Sequence, residues 1–192
     1  MTMFEELIAV LDKATTKISL IEPDEKAAAR LKEVYPFHEE TVFGVVLSKT
    51  GGIVIDNWIR IYGSGKYDFY GKNTSLSEWG ATIIAEDIVG GLFSLGDNGV
   101  ISYFAPDTLQ WESLDIKYGQ FIQWAMMKER VDTYYETFRW GGWEKDAAML
   151  SSAQGIICIP PLWTKESKTG FSTKAVPMHE ILGLQLAFSK EL

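Results

Sequence analysis

The sequence predicts an α+β fold in which a mainly antiparallel twisted sheet of five or six strands packs against N- and C-terminal helices. Two observations predict it. Short β-rich segments with glycines between them are grouped in residues 41–104, and helical apolar spacing occupies both flanks. Strands grouped in this way favour α+β over a doubly wound sheet. With 192 residues and no long linker, the chain is predicted to form a single domain, residues 1–192.

Two helices are predicted ahead of the sheet. The first spans residues 3–16, where apolar residues recur at helical spacing and Thr2 with Glu5 forms a capping box. The second spans residues 23–34, has a proline in its first turn and is stopped by Pro36.

The first predicted strands are short. Residues 42–47 and 52–55 flank a turn at residues 49–52 and are predicted to form a hairpin. Residues 58–62 form the third predicted strand, whose alternate side chains face opposite sides of the sheet. Residues 63–80 are rich in glycine and polar side chains and are predicted to form a loop.

The clearest hairpin signal in the chain comes next. Residues 92–95 and 100–104 are predicted strands, and the turn at residues 96–99, Gly-Asp-Asn-Gly, contains residue types that tolerate a positive φ. A further strand is predicted at residues 82–85, just before this hairpin.

The C-terminal part is predicted to be mainly helical. The predicted helices span residues 118–129, 131–139 and 143–151, followed by a C-terminal helix that Pro177 opens. A buried strand is predicted at residues 156–159, and a polar loop at residues 163–174. The single cysteine, Cys158, lies in that strand and is predicted to be a small buried hydrophobe.

The charge balance argues against binding to nucleic acid, and the distribution of apolar residues argues against a membrane. Eighteen lysines and arginines against 26 acidic residues leave a net charge of −8, which repels nucleic-acid phosphates. The N-terminus is acidic where a secretory signal is basic, and no apolar run approaches the ~18 residues that span a bilayer. We therefore predict a cytoplasmic protein that binds neither nucleic acid nor membrane.

The motifs predict no metal and no cofactor. The chain has two histidines, His38 and His179, and neither has a partner at the spacing of a zinc site. The segment at residues 63–66, Gly-Ser-Gly-Lys, resembles part of a phosphate loop. However, Arg60 stands where that pattern has its first glycine, and Tyr67 follows the lysine in place of Ser or Thr. The segment is predicted to be a flexible turn.

Seven tryptophans suggest a contact surface. Tryptophans mostly fill cores, but Trp140 and Trp143, like the tyrosines of residues 67–70, lie in glycine-rich connections, where exposed aromatic side chains are typical anchors of protein interfaces. The predicted contact residues are Trp58, Arg60, Tyr67, Tyr70, Glu86, Asp87, Trp140 and Trp143. Core packing and sugar stacking are the alternatives for the aromatic members.

Glu86 and Asp87 also support a different interpretation. They are predicted to close the strand at residues 82–85, and catalytic groups often lie at strand ends. A glycosidase-like pair needs two carboxyls about 5–10 Å apart in a cleft, with one of them desolvated. Solvated turn acids or a recognition surface are the alternatives, so no catalytic residue is assigned.

Several short stretches carry a family resemblance. They are residues 50–56, 58–65, 85–91, 103–111, 140–143, 162–165 and 176–178. In this combination the chain resembles DUF2625, a bacterial family of unknown function. That resemblance implies no particular activity, and no catalytic residue is carried over from it.

A looser similarity is to the SUKH superfamily. It rests on the glycine-bearing strand at residues 90–95, the hairpin into residues 100–104 and a following helix that includes residues 121–124. SUKH-like domains are α+β interaction modules, and many are immunity proteins that neutralise bacterial toxins. The similarity implies a protein partner such as a toxin, and an acidic chain suits a basic toxin because charge complementarity speeds association.

The leading prediction is therefore a non-enzymatic, cytoplasmic protein-interaction module whose partner is another protein, such as a bacterial toxin. The alternative is a small-molecule or carbohydrate-binding protein, or a hydrolase, that uses Glu86 and Asp87. A shallow, acidic, aromatic face favours the first prediction. A closed pocket holding a carboxyl of raised pKa favours the second.

Overall fold

Seven antiparallel strands form the central sheet of the computed structural model, which describes residues 2–191. The strands lie in the sheet in the order in which they occur along the chain. They are β1 (Ile18–Ile21), β2 (Gly52–Ile55), β3 (Ile59–Ile61), β4 (Thr82–Asp87), β5 (Leu92–Leu95), β6 (Val100–Ala105) and β7 (Gln110–Lys117). A separate two-stranded sheet consists of β8 (Gln154–Ile159) and β9 (Ser172–Pro177).

Eight helices accompany these strands within the described residues. They are α1 (Met3–Leu11), α2 (Glu25–Val34), α3 (Val42–Lys49), α4 (Phe69–Ser75), α5 (Tyr118–Ala125), α6 (Lys128–Tyr134), α7 (Trp143–Ala148) and α8 (Met178–Ser189). The predicted α+β class is confirmed, with seven strands in the main sheet instead of five or six. None of the helices in this part of the chain has both the length and the apolar character that crossing a bilayer requires.

Both faces of the sheet are covered. On one face, the ring of Phe93 in β5 lies 4.8 Å from that of Phe121 in α5. On the opposite face, the Arg60 side chain of β3 donates a hydrogen bond of 2.7 Å to the carbonyl of Gln154, where β8 begins. The central strands therefore project side chains into two separate layers of the interior, which decides where their polar residues can lie.

The first predicted strand, residues 42–47, is wrong, because these residues begin helix α3. Thr41 starts the helix: its side-chain oxygen accepts a hydrogen bond from the backbone N–H of Gly44 at 3.0 Å. Residues 44–48 of α3 are all buried, so the helix has no polar face in this region. A short apolar run that is buried on all sides has the same pattern in a helix as in a strand.

The predicted hairpin around residues 49–52 is wrong for the same reason. β2 is a strand, as predicted, but it pairs with β1 on one side and with β3 on the other. β1 has four residues and lies between two predicted helices, so the sequence contains too little alternation to reveal it.

Three further elements occupy segments without a predicted element of that type. Helix α4 lies within the predicted loop at residues 63–80, and the Asp68 side chain caps it by accepting from the N–H of Gly71 at 2.9 Å. Strand β7 is an edge strand and mostly exposed, so it lacks an apolar alternation. Strand β9 overlaps the predicted loop at residues 163–174.

Predictions that rest on strong local chemistry are confirmed. Thr2 and Glu5 form both hydrogen bonds of a capping box at α1. Strands β5 and β6 pair across the predicted turn, where Gly99 has a φ of 75°. Cys158 is buried in β8, and burial raises the pKa of its thiol to about 12.

Candidate functional site

Most of the predicted contact surface lies in the interior. The side chains of Trp58, Arg60, Tyr67, Glu86 and Asp87 are at most 5% exposed. The other three, Tyr70, Trp140 and Trp143, are half-buried. The eight residues therefore do not form the shallow, acidic, aromatic face expected from the sequence, and a role for the half-buried three in binding a partner stays a prediction.

The length of β4 explains why its two acids are not solvated. The strand continues through Glu86 and Asp87 instead of ending at residue 85, and it lies between β3 and β5 in the middle of the sheet. Both acids are 0% exposed. They are the last two residues of the strand, but the alternative that they are solvated turn acids is wrong.

Glu86 is held by two cations and a phenol. Lys72 of α4 donates to both carboxylate oxygens, at 2.9 and 2.8 Å. Tyr62 donates its hydroxyl to Oε2 at 2.6 Å, and Nη1 of Arg60 lies 3.5 Å from Oε1. Burial, reinforced by the charge of Glu86, holds the pKa of Tyr62 well above its usual range, so this hydroxyl stays protonated and able to donate.

Asp87 has hydrogen-bond donors but no cation among its partners within the described residues. Its Oδ2 accepts from the hydroxyls of Tyr103 at 2.6 Å and Tyr135 at 3.0 Å. Its Oδ1 accepts from the backbone N–H groups of Val89 and Gly91 at 3.0 and 2.8 Å. Burial raises the pKa of Asp87, because these hydrogen bonds offset only part of the cost of removing its charge from water.

The two acids do not form a catalytic pair. Successive residues of a strand point to opposite faces of the sheet, and the two sets of partners reflect this. Glu86 meets Arg60 and Lys72, whereas Asp87 meets Tyr103 and Tyr135. A single substrate therefore cannot lie between the two carboxyls, which removes the carboxylate-pair geometry from the hydrolase alternative.

Replacing Asp87 with asparagine is expected to stabilise the protein relative to wild type more at about pH 7 than at about pH 4. The raised pKa means that the folded protein holds the Asp87 proton more tightly than the unfolded chain. The stability that protonated Asp87 contributes is thus lost as pH rises from the pKa of Asp87 in the unfolded chain through its pKa in the folded protein. Asparagine retains an oxygen for the N–H groups of Val89 and Gly91 and does not titrate.

Urea denaturation followed by circular dichroism at both pH values measures this difference directly. Asp87→Ala is the control, since it removes the charge and also leaves four donors without their acceptor. The alanine variant is expected to be less stable than wild type at both pH values. A difference between Asp87→Asn and wild type that shrinks as pH rises would contradict the assignment.

The predicted contact tryptophans pack around one another. The ring of Trp58 lies 5.3 Å from that of Tyr135, 5.9 Å from Trp140 and 5.2 Å from Trp143. The guanidinium of Arg139 is 3.9 Å from the Trp143 ring and 5.0 Å from the Trp58 ring. This cluster stabilises the fold through aromatic and cation–π contacts and leaves no flat aromatic surface around Trp58.

A cleft of 480 Å³ lies between α8 on one side and, on the other, α4 with the short 3₁₀ turn that follows it (Ser77–Trp79). Glu86 and Lys72 border its inner end. The walls are mainly apolar, with Leu76 and Trp79 opposite Leu182 and Leu186. This volume is in the range that holds small ligands, and apolar walls with few polar groups are typical of such sites.

Charged side chains border the outer part of the cleft. Lys190, just beyond α8, lies 3.6 Å from Glu78 of the 3₁₀ turn, and both side chains are exposed. His179, in the first turn of α8, also lines the cleft. The ion pair between Lys190 and Glu78 joins the two walls, but at this exposure it adds little to stability.

Only one of the charged residues that line this cleft was among the site residues predicted from the sequence. Glu86 was among the predicted site residues, but Lys72, His179 and Lys190 were not. Lys72 belongs to a segment predicted as a loop, and the other two lie more than 90 positions further along the chain. Periodicity describes neighbours within one element, so it does not reveal a site whose walls come from elements so far apart.

Trp111 is exposed, and it was not among the predicted contact residues. It lies on the edge strand β7, is 38% exposed and contacts the rings of Trp79 and Phe104. On the outer side of β7 no strand of the described residues is paired. An exposed tryptophan beside an open strand edge is a feature typical of protein-binding surfaces.

Comparison with known proteins places this chain among uncharacterised relatives. Residues 2–181 match the family model described as "Protein of unknown function DUF2625". The "Putative uncharacterized protein YbfG" of Escherichia coli (strain K12) is 34% identical over 155 residues, which cover 74% of this chain and 71% of the relative. An "Uncharacterized protein" of Haemophilus influenzae (strain ATCC 51907 / DSM 11121 / KW20 / Rd) is 30% identical over 169 residues, covering 79% and 74%.

None of the solved structures matches this chain. The resemblance to DUF2625 is thus confirmed by the family model, whereas neither that model nor the two relatives is described as a SUKH domain. The SUKH similarity stays a prediction.

Proposed function

The chain belongs to the DUF2625 family, and from the geometry of its cleft we propose that it binds a small molecule between α8 and α4. The observation that carries this proposal is a 480 Å³ cleft whose inner end holds an ion pair between the partly exposed Lys72 and the buried Glu86. The sequence predicted, as the alternative, a small-molecule-binding protein whose site contains Glu86 and Asp87. Of these two acids, only Glu86 lines the cleft.

The chemistry of the cleft supports binding more than catalysis. Glu86 is hydrogen-bonded to three side chains, so its carboxylate is held in place and both of its oxygens already have donors from the protein. Asp87 lies on the other face of the sheet and does not line the cleft. What remains is an apolar groove with fixed polar groups at one end, an arrangement that orients a ligand.

Native mass spectrometry of the protein purified from its own host is the experiment that tests this proposal. The expected result is an adduct of small mass on the wild type. Ala187→Trp should remove it, because Ala187 is exposed and lines the cleft, so a large ring there fills the cleft without entering the core.

Glu180→Trp is the matched control for that variant. Glu180 is exposed on the same helix but does not line the cleft, so this variant should keep the adduct. An adduct that survives in Ala187→Trp would place the ligand elsewhere. A bare mass for the wild type would count against a resident ligand.

A protein partner is our second proposal, including the immunity role that a SUKH-like domain would have. The exposed Trp111 on the open edge of β7 favours it, and the net charge of −8 suits a basic partner. Five of the eight residues first predicted for this role are buried, so β7 is the better contact. The same mass spectrum separates the two proposals, since a protein adduct lost on Trp111→Ser would favour the second.

A further inference from the structure

We propose that the ligand of this cleft is an organic anion with an apolar body, whose acidic group meets Lys72 at the inner end. This inference rests on the proposed function and adds the chemical class of the ligand. Three features carry it: the hydrogen-bonding groups left at the inner end, the charge around the cleft, and a glycine in the middle of α8.

The inner end of the cleft offers a donor and no acceptor. A carboxylate accepts about four hydrogen bonds, and Glu86 receives four, two at each oxygen. An ammonium donates three, and Lys72 uses two on Glu86. Within residues 2–191 no other acceptor takes its third N–H, and the side chain is 23% exposed at the cleft. A ligand group that reaches this point must therefore accept a hydrogen bond.

The charges around the cleft select an anionic acceptor. The charged side chains that line the cleft, Lys72 and Lys190 with Glu78 and Glu86, balance one another, and Arg60 beside Glu86 adds one positive charge in a chain of net charge −8. Arg60 stands behind Glu86 and does not line the cleft, so it offsets the Glu86 charge from the protein side. A hydrogen bond from an ammonium to an ionised acceptor is about twice as strong as one between neutral groups.

Gly183 gives the apolar body of the ligand its place. It lies in the middle of α8, where glycine disfavours the helix, and it lines the cleft. Apart from its chain neighbours and the backbone of its own helix, a Cβ added there would meet no atom of the described residues within 4 Å, so no packing contact requires a glycine. A bare stretch of helix backbone lets a ligand approach closely between Leu182 and Leu186.

A matched pair of fluorescent probes tests the charge preference without any mutation. Anilinonaphthalene sulfonate is an organic anion with an apolar body, and N-phenylnaphthylamine has the same ring system without the sulfonate. The wild type is expected to bind the sulfonate at least about tenfold more tightly, although the neutral probe is the more apolar. Lys72→Gln should abolish this preference, with thermal melting as the check that the variant is folded.

Gly183→Ala tests the place of the apolar body. The variant is expected to raise the melting temperature by about 2–4 °C, because alanine favours the helix. The variant should also bind both probes about fivefold or more weakly, because the added methyl group occupies space that the ligand would fill. A variant that is more stable but binds both probes as well as wild type would remove Gly183 from the site.

The other outcomes show whether the anionic ligand fails alone or together with the proposed small-molecule function. Equal binding of the two probes by the wild type, or tighter binding of the neutral one, would overturn the anionic ligand and leave a cleft for neutral molecules. Binding of neither probe would contradict both the anionic ligand and the proposed function. Sulfonate binding that Ala187→Trp leaves unchanged would place the probe on another surface and overturn the inference.

Discussion

Replacing Trp58 with alanine is expected to lower the free energy of unfolding by about 3–5 kcal/mol, the usual loss for a core tryptophan. Its side chain is fully buried, and it contacts Tyr135, Trp140 and Trp143 as well as the guanidinium of Arg139. The substitution leaves a large cavity in this cluster and removes one of the rings that the guanidinium faces. Urea denaturation followed by far-ultraviolet circular dichroism measures the loss.

Trp111→Ala is the control for Trp58→Ala. The same atoms are removed, but Trp111 is 38% exposed, so we expect a loss of about 1 kcal/mol. Equal losses from the two variants would mean that Trp58 is not the centre of a packed cluster. A loss below about 1 kcal/mol for Trp58→Ala would restore the original interpretation of this residue as a surface contact.

Glu86→Ala is expected to cost about 3–5 kcal/mol, because it leaves the buried Arg60 and the partly exposed Lys72 without their counter-ion. Arg60 and Lys72 have side-chain exposures of 3% and 23%, so Arg60 in particular cannot recover its interactions from water. Tyr62 also loses the acceptor for its hydroxyl. The free energy of unfolding from urea titrations at neutral pH gives the magnitude.

The exposed ion pair at the outer part of the cleft is the control for Glu86→Ala. Lys190→Ala removes one partner of a pair whose side chains are 61% and 78% exposed, so we expect a change of about 0–1 kcal/mol. Arg60→Met together with Lys72→Met and Glu86→Leu is a further comparison, because it removes both cations along with their counter-ion. If this triple variant were as unstable as Glu86→Ala, an unpaired buried charge would not be the cause of the loss.

Elements with a strong local signal could be predicted from the sequence, whereas a helix without a polar face and a strand that depends on distant pairing could not. The hairpin of β5 and β6 was predicted because a Gly-Asp-Asn-Gly turn determines its geometry over a few residues. Helix α3 was mistaken for a strand because its core segment is buried on every side, which removes the polar face that periodicity needs. β1 depends on pairing with β2, and the paired residues are 31–37 positions apart in the chain.

The candidate site was predictable only in part, for a related reason. Glu86 and Asp87 were noticed as a pair of acids, but their separation onto two faces follows from a strand longer than predicted. The cleft forms where α8 meets α4, so its composition depends on tertiary structure. Trp140 and Trp143 looked like surface anchors because two glycines separate them, whereas both rings pack against the buried ring of Trp58.

The order of the strands has a consequence for how freely the cleft wall can change. Four connections in the main sheet contain only three or four residues, whereas residues 62–81, between β3 and β4, include α4 and the 3₁₀ turn. Loop-closure entropy grows only with the logarithm of length, so this insertion costs about 1.4 kcal/mol more than a four-residue turn. The wall can therefore be lengthened, shortened or exchanged at small entropic cost while β3 and β4 remain neighbours.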